Sequence, residues 1–106
     1  MENVTAKIKE KTLTLCVSGE IDHHSAKAIR AKADAAILAG HPAVIRLDLS
    51  QVSFMDSSGL GLIMGRYALA SDIGAAISVL NPTDAVARII LMAGLEKIVP
   101  IERDIQ

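Results

Sequence analysis

The sequence contains almost no aromatic residues. Its 106 residues include one Phe, one Tyr and no Trp. Side chains that stack on bases or sugars are therefore nearly absent, and the core must be aliphatic. Lys and Arg total 11 against 12 Asp and Glu, giving a net charge of −1 with no run of either sign. This balance argues against nucleic acid or an anionic membrane as the main partner.

Cysteine is also scarce. Cys16 is alone, so an intramolecular disulfide cannot form, and the framework of a small secreted protein is excluded. We interpret Cys16 as a buried thiol in a reducing compartment. No stretch approaches the roughly 20 apolar residues of a membrane span, and residues 1–11 contain no apolar signal core. We expect a cytoplasmic protein.

The apolar content is sufficient for a core. Hydrophobic residues make up 51% of the chain, and its length fits one domain, residues 1–106. Alternation predicts a hairpin of half-buried strands over residues 4–8 and 12–18, with Gly19 ending the second. Periodicity, glycines and prolines then predict three helices: one that opens at residues 22–25 and ends at Gly40, one over 57–70, and one from Pro82 to Gly94. Three further strands are predicted, over 43–49, over 75–80, and at Ile98 and Val99. This β-β-α-β-α-β-α-β order predicts an α/β fold with one mixed, mostly parallel sheet of four to five strands flanked by helices.

The helix predicted over residues 57–70 has an unusual outer side. Leu60, Ile63, Met64 and Tyr67 share one side, which we interpret as the core face. The opposite side carries small or apolar residues and a single charge: Ser58, Gly61, Leu62, Gly65, Arg66 and Leu69. Glycine inside a helix costs about 1 kcal/mol relative to alanine, so its presence here needs a reason. We interpret this outer side as a docking surface for a partner.

A polar corner, Asp56-Ser57-Ser58-Gly59, precedes this helix and follows a predicted strand. Open α/β sheets place functional sites at the carboxyl ends of strands, but the same residues are also ordinary helix caps. A serine hydrolase elbow needs Gly-x-Ser-x-Gly, and its first glycine is missing here. The glycines at 59, 61 and 65 do not have dinucleotide-loop spacing. A small serine hydrolase, with a histidine such as His41 as base, or a nucleotide-binding protein remains a disfavoured alternative.

A second polar stretch contains Glu20, Asp22, His23 and His24. Adjacent histidines in one short segment rarely converge on a metal ion, and the sequence offers no second cluster to complete a tetrahedral site. We favour Asp22 as a helix cap beside exposed imidazoles. We expect no metal and no cofactor.

Phosphorylation of a serine in the Asp56 corner would act as a switch at low structural cost. A phosphate adds roughly −1.5 to −2 charge and three acceptor oxygens. The amino end of a helix tolerates such a charge, so the fold should survive. With Asp56 adjacent, the added charge would repel a partner surface matched to the unmodified protein.

Two stretches resemble the signature sequences of a known family. Residues 19–26 (GEIDHHSA) and 54–67 (FMDSSGLGLIMGRY) are similar to those of bacterial anti-sigma-factor antagonists, the STAS domains, and most similar to the sporulation type of the sigma F system. The resemblance implies a STAS-like sheet flanked by helices, without enzymatic activity. It also implies that the unphosphorylated form binds an anti-sigma factor that is a serine kinase, which frees the sigma factor.

The resemblance further implies that the kinase uses its own bound ATP to phosphorylate the antagonist, which breaks the complex, and that a serine phosphatase reverses this. The first serine of the motif, Ser57, corresponds to the phosphoacceptor. The partner-binding residues implied are Asp22, His23, Asp56, Ser58, Gly59, Gly61, Leu62, Gly65 and Arg66. An alternative within the family is a STAS module of another partner-switching system, such as a general stress cascade.

Overall fold

A computed structural model describes residues 3–104 of the chain. These residues form five strands, three α-helices and one 3₁₀ turn: β1 Val4–Lys9, β2 Thr12–Ile21, α1 Ala26–Gly40, β3 Val44–Met55, α2 Ser57–Ile73, β4 Ala76–Leu80, α3 Asp84–Met92, the 3₁₀ turn Leu95–Lys97, and β5 Ile101–Glu102. The strands lie in the order β1-β2-β3-β4-β5 in one sheet. The first pair is antiparallel and the other three are parallel. The predicted fold class and element order are confirmed.

The hairpin between β1 and β2 is closed by a tight two-residue turn. Glu10 and Lys11 both have positive φ, 51° and 69°, as in the type I′ turn that matches the twist of the flanking strands. The carbonyl of Lys11 accepts hydrogen bonds from the backbone N–H groups of Ala43 and Val44, at 2.8 and 3.1 Å. The hairpin therefore also fixes where β3 begins.

Two strands continue beyond their predicted ends. Gly19 does not end β2: it has a φ of +87° and lies at an irregularity, after which β2 continues to Ile21. Its partner β3 continues past Leu49 to Met55, with Val52 and Met55 buried. The register shifts break the simple polar–apolar alternation, and this is why the sequence pattern missed the extensions.

The last strand lies on the other side of Pro100 from its predicted position. The prediction of a strand at Ile98 and Val99 is wrong, because the chain there follows a 3₁₀ turn and Val99 is buried in the core. The carbonyls of Pro100 and Glu102 instead accept hydrogen bonds from Val79 and Asn81, at 2.9 and 2.8 Å. Proline has no N–H to donate, so Pro100 can take part in the pairing of β4 with β5 only through its carbonyl.

Helix boundaries follow local capping chemistry. Helix α2 continues beyond its predicted end at residue 70: it runs to Ile73 and ends at Gly74, whose φ is +74°. Thr83 is the N-cap of α3, because its side chain accepts a hydrogen bond from the N–H of Val86 at 3.3 Å. Helix α1 begins at Ala26, after a turn, rather than at residues 22–25.

The core is a single aliphatic cluster between the sheet and the three helices. Its fully buried members include Leu15, Ile29, Ile37, Ile45, Leu49, Ile63, Val86 and Ile90. The opposite face of the sheet carries polar groups, such as Arg46, which pairs with Glu102 at 3.5 Å. Cys16 is only partly buried on that face, where it donates to Asp48 at 3.7 Å. Within residues 3–104, no helix has the length and apolar character needed to cross a membrane.

Candidate functional site

Asp56 connects β3 to α2 and fixes the start of the helix. Its carboxylate Oδ1 accepts a hydrogen bond from the N–H of Ser58 at 2.8 Å. Its own N–H donates to the carbonyl of Ile21 at 3.1 Å, and its carbonyl accepts from Gly59 at 2.9 Å. Asp56 is thus both the N-cap of α2 and the link between this corner and the end of β2.

Ser57 is the first residue of α2 and is exposed. Within residues 3–104 its hydroxyl takes part in no hydrogen bond. Ser58, by contrast, is half-buried, and its N–H is held by Asp56. The two adjacent serines therefore differ in access, and Ser57 is the more exposed of the two.

Gly59 is required by packing. A Cβ at this position would lie 2.1 Å from Cγ of Met55 and 3.4 Å from a methyl group of Ile21. Such a contact distance is incompatible with a native core, so only glycine lets the first turn of α2 lie against the ends of β2 and β3. Gly59 is buried and positions the corner.

The predicted core face of α2 is right for Ile63, which is buried, and for Leu60, which packs against the core, but it is wrong for Met64 and Tyr67. The buried residues are Gly59, Leu62, Ile63, Arg66 and Ala70, whereas Met64 and Tyr67 are 45% and 36% exposed. Leu62 and Arg66, expected on the outer side, therefore face inward. The sequence was ambiguous because α2 is apolar around most of its circumference, so no single stripe stands out.

Arg66 turns inward because a carboxylate meets it there. Its Nε lies 2.8 Å from Oδ1 of Asp34 on α1, although the two atoms lack hydrogen-bond geometry, so charge attraction holds this pair. Burial lowers the pKa of Arg66; Asp34 opposes this, and the like charge of Arg30 adds to it. The ion pair ties α1 to α2 next to the corner.

The outer face of α2 combines small residues with large exposed apolar side chains, and its residues differ from the predicted ones. Its exposed residues include Ser57, Gly61, Met64, Tyr67 and Ala68, and the 49% exposed Phe54 precedes the helix. A Cβ added at Gly61 or Gly65 would meet no heavy atom of the chain within 4 Å. Packing inside the protein thus gives no reason for these two glycines. We call the exposed residues Phe54, Ser57, Gly61, Met64, Tyr67 and Ala68 the outer α2 face.

Asp22 organises the turn before α1. Its Oδ1 accepts hydrogen bonds from the N–H groups of His24 and Ser25, both at 2.9 Å, and these bonds lower the pKa of Asp22. Ser25 occupies the N-cap position, and its hydroxyl donates to the carbonyl of Glu20 at 2.7 Å. Asp22 therefore caps the turn rather than the helix itself. The imidazoles of His23 and His24 are exposed, as expected.

The fold brings the two signature stretches together. Ile21 pairs with Met55 at the ends of β2 and β3, so the turns that carry Asp22 and Asp56 leave the sheet side by side. Between them, an open groove of about 350 Å³ separates α1 from α2. It is lined by His23, Ala26, Lys27, Arg30, Ser58, Gly61 and Leu62. We call this the α1–α2 groove.

Three residues of this region were missed in the sequence: Lys27, Arg30 and Asp34. The spacing of Lys27 and Arg30 places both on one side of a helix, which was a usable signal. No such signal marked Asp34, because its partner Arg66 is 32 residues away and was expected to face outward.

Comparisons with known proteins agree with this architecture. The model of the STAS domain family matches residues 3–106. The chain therefore belongs to the STAS domain family.

One relative is named anti-sigma F factor antagonist, from Paenibacillus polymyxa. It is 43% identical over 89 residues, covering 84% of this chain and 76% of the relative. This chain therefore resembles an anti-sigma factor antagonist in sequence over most of its length.

Two solved structures show the same fold. The anti-sigma factor antagonist SpoIIAA in its unphosphorylated form is 30% identical, with a TM-score of 0.81 and coverage of 97% of this chain and 89% of SpoIIAA. The Bacillus cell fate determinant SpoIIAA in its phosphorylated form is 29% identical, with a TM-score of 0.73 and coverage of 97% and 92%.

Proposed function

We infer that this protein is an anti-sigma factor antagonist controlled by phosphorylation of Ser57. The observation that carries this conclusion is the exposed, unpaired Ser57 hydroxyl at the start of α2, next to the outer α2 face. Family membership and the names of the relatives support the antagonist role. The name of the 43% identical relative favours the sigma F system over a general stress cascade.

In this account the unphosphorylated protein binds an anti-sigma factor that is also a serine kinase, and the sigma factor is released. Binding buries the outer α2 face, where glycine and alanine allow a close approach. The exposed apolar side chains of Phe54, Met64 and Tyr67 supply the hydrophobic contact area. Among the predicted partner-binding residues, His23, Ser58, Gly61 and Gly65 remain candidates for direct contact. Gly59, Leu62 and Arg66 act by positioning α2, because they are buried.

The kinase then modifies the antagonist. The Ser57 hydroxyl oxygen attacks the γ-phosphorus of ATP bound by the partner, its proton passes to a base of the partner, and ADP leaves. This chain supplies the acceptor and no catalytic group, so it acts as a substrate rather than as an enzyme. A serine phosphatase reverses the step by transferring the phosphoryl group to water. All of these components act in the cytoplasm.

Phosphorylation weakens the complex without unfolding the protein. The phosphate adds roughly −1.5 to −2 charge at the amino end of α2, where free N–H groups and the helix dipole tolerate it. The carboxylate of Asp56 lies one residue away and already makes the corner acidic. A partner surface that fits this face in the unmodified state then meets a hydrated dianion, which prevents close contact.

Binding to the purified anti-sigma kinase in the presence of ADP tests the proposal. Ser57→Asp should weaken binding, whereas Ser57→Asn, which has similar size but no charge, should retain it. Circular dichroism should show that both variants fold. Equal affinity of Ser57→Asp and the wild type would show that charge at this position does not control the complex.

A further inference from the structure

The α1–α2 groove has cationic walls and no acidic group in its lining. His23, Lys27 and Arg30 line it on the α1 side, and Ser58, Gly61 and Leu62 on the α2 side. The carboxylate of Asp34, on the same helix as Lys27 and Arg30, is already engaged by Arg66. The carboxylates of Asp22 and Asp56, in the turns beside the groove, accept backbone hydrogen bonds there. The positive charge of the groove is therefore not neutralised by its own lining.

This charge is unfavourable within the protein itself. Burial is the main cause that lowers the pKa of Arg66, and the like charge of Arg30 adds to it, so the two cations repel each other across the α1–α2 contact. Asp34 offsets the charge of one of them. An anion from outside, placed in the groove, would relieve this repulsion.

Two of the residues that line the groove are small. Ala26 and Gly61 contribute little side-chain volume, and a Cβ at Gly61 would meet no heavy atom of the chain within 4 Å. A glycine there makes the helix less stable than an alanine would, without any gain in internal packing. The missing side chain leaves room for a group inserted from outside.

We propose that the α1–α2 groove receives an aspartate or glutamate side chain of the anti-sigma partner, held by Lys27 and Arg30. This inference rests on the proposed function and identifies a charged contact beside its phosphoacceptor. Ser58 and Gly61 belong both to the groove lining and to the predicted docking helix, so the groove continues the outer α2 face. A carboxylate suits the site because guanidinium and ammonium groups form short, charge-assisted hydrogen bonds with it.

The contact also adds a second route by which phosphorylation acts. A phosphate on Ser57 would lie at the edge of this groove, one residue from Ser58. Its negative charge would compete with the partner's carboxylate for Lys27 and Arg30. Repulsion of the partner surface by the phosphate beside Asp56 and competition for the groove cations would then both weaken the complex.

Titration of the purified anti-sigma kinase, with ADP, into three forms of the unphosphorylated protein tests this. Lys27→Gln/Arg30→Gln should weaken binding on the order of 10-fold or more, because two charge-assisted contacts are lost. Arg88→Gln/Lys97→Gln removes the same two charges from exposed positions outside the groove and should bind like the wild type. Raising the salt concentration should weaken the wild type and the control more than the groove variant.

Carbodiimide cross-linking of the complex identifies the source of the negative charge. The reagent joins a lysine amine to a carboxylate as an amide, with loss of water taken up by the reagent. Mass spectrometry should find Lys27 linked to an aspartate or glutamate of the partner. Cross-links formed only by other lysines would overturn the proposal.

Binding and phosphorylation measurements distinguish a missing groove contact from a wrong proposed function. A wild-type protein that binds the kinase and is phosphorylated on Ser57, together with a groove variant of unchanged affinity, would refute the groove contact and leave the proposed function standing. A wild-type protein that does not bind the kinase would refute both.

Discussion

The Nε atom of Arg66 on α2 lies 2.8 Å from Oδ1 of Asp34 on α1, and the arginine side chain is 6% exposed while the aspartate side chain is 34% exposed. In residues 3–104, Nη1 of Arg66 is also buried without a hydrogen-bond partner. The helix that presents Ser57 is thus attached to its neighbour through an arginine that depends on one carboxylate. The pair makes α2 a supported platform rather than an independent helix.

Breaking this pair should have asymmetric effects. Asp34→Ala leaves a buried guanidinium without its counter-charge and should lower the free energy of unfolding by about 1–3 kcal/mol. Arg66→Met should cost less, because water can solvate the partly exposed Asp34 and methionine fills most of the vacated space. Urea unfolding of both variants and of the double variant measures the difference. A neutral Asp34→Ala would contradict a stabilising role for the pair.

The glycines of α2 should respond to alanine in opposite ways. Gly59→Ala places a Cβ against Met55 and should destabilise the protein by about 1–3 kcal/mol, as overpacking does. Gly61→Ala and Gly65→Ala meet no atom of the chain and should stabilise it by up to about 1 kcal/mol each. Thermal or urea unfolding separates the two classes. In the same preparations, Gly61→Ala should bind the anti-sigma kinase more weakly than the wild type, since its methyl group occupies the docking face.

Loss of the N-cap of α2 should lower the free energy of unfolding without changing the packing of the core. Asp56→Ala removes the acceptor for the N–H of Ser58 and should lower the free energy of unfolding by about 1 kcal/mol, whereas Asp56→Asn should retain most of it. Asp72→Ala is a suitable control, because Asp72 is exposed near the other end of the same helix. Removal of a negative charge there should be neutral or slightly stabilising. Equal losses in Asp56→Ala and Asp72→Ala would show that capping is not the cause.

Acid should weaken the turn formed by residues 22–25. Hydrogen bonds from Ser25 and His24 lower the pKa of Asp22 below its ordinary value of 3.8 in the folded protein. The folded state therefore binds this proton less readily than the unfolded chain, and the stabilisation is present above 3.8 and disappears as the pH falls through the lower, folded pKa. Asp22→Asn should accordingly be less stable than the wild type at neutral pH, with the difference vanishing in acid. Urea unfolding across this pH range measures it; a constant difference would contradict the charge argument.

Much of the fold was predictable because local patterns and global topology agree. Alternation gave the hairpin, and glycine and proline gave the end of α1 at Gly40 and placed the end of α3, at Met92, to within two residues. The extension of β3 to Met55 was not predictable, since it depends on an irregular pairing with β2 that masks the alternation. The position of β5 was missed because its pairing uses the carbonyl of Pro100, which hydropathy does not reveal.

The site was predictable to the extent that its chemistry is local. The Asp56 cap and the access to Ser57 follow from residues that are adjacent in sequence. The orientation of α2 was not predictable, because its apolar residues surround the helix and the decision depends on Asp34, which lies on another helix. Arg66, the one charge on an otherwise apolar side of the helix, was expected to face outward, whereas Asp34 holds it inside.

The most direct test of the central claim is to map the phosphate. The wild-type protein, Ser57→Ala and Ser58→Ala are each incubated with the purified anti-sigma kinase and ATP, then digested and analysed by mass spectrometry. We predict one phosphate on Ser57 in the wild type and in Ser58→Ala, and none in Ser57→Ala. A phosphate on Ser58 or elsewhere in the wild type, or full phosphorylation of Ser57→Ala, would contradict the account.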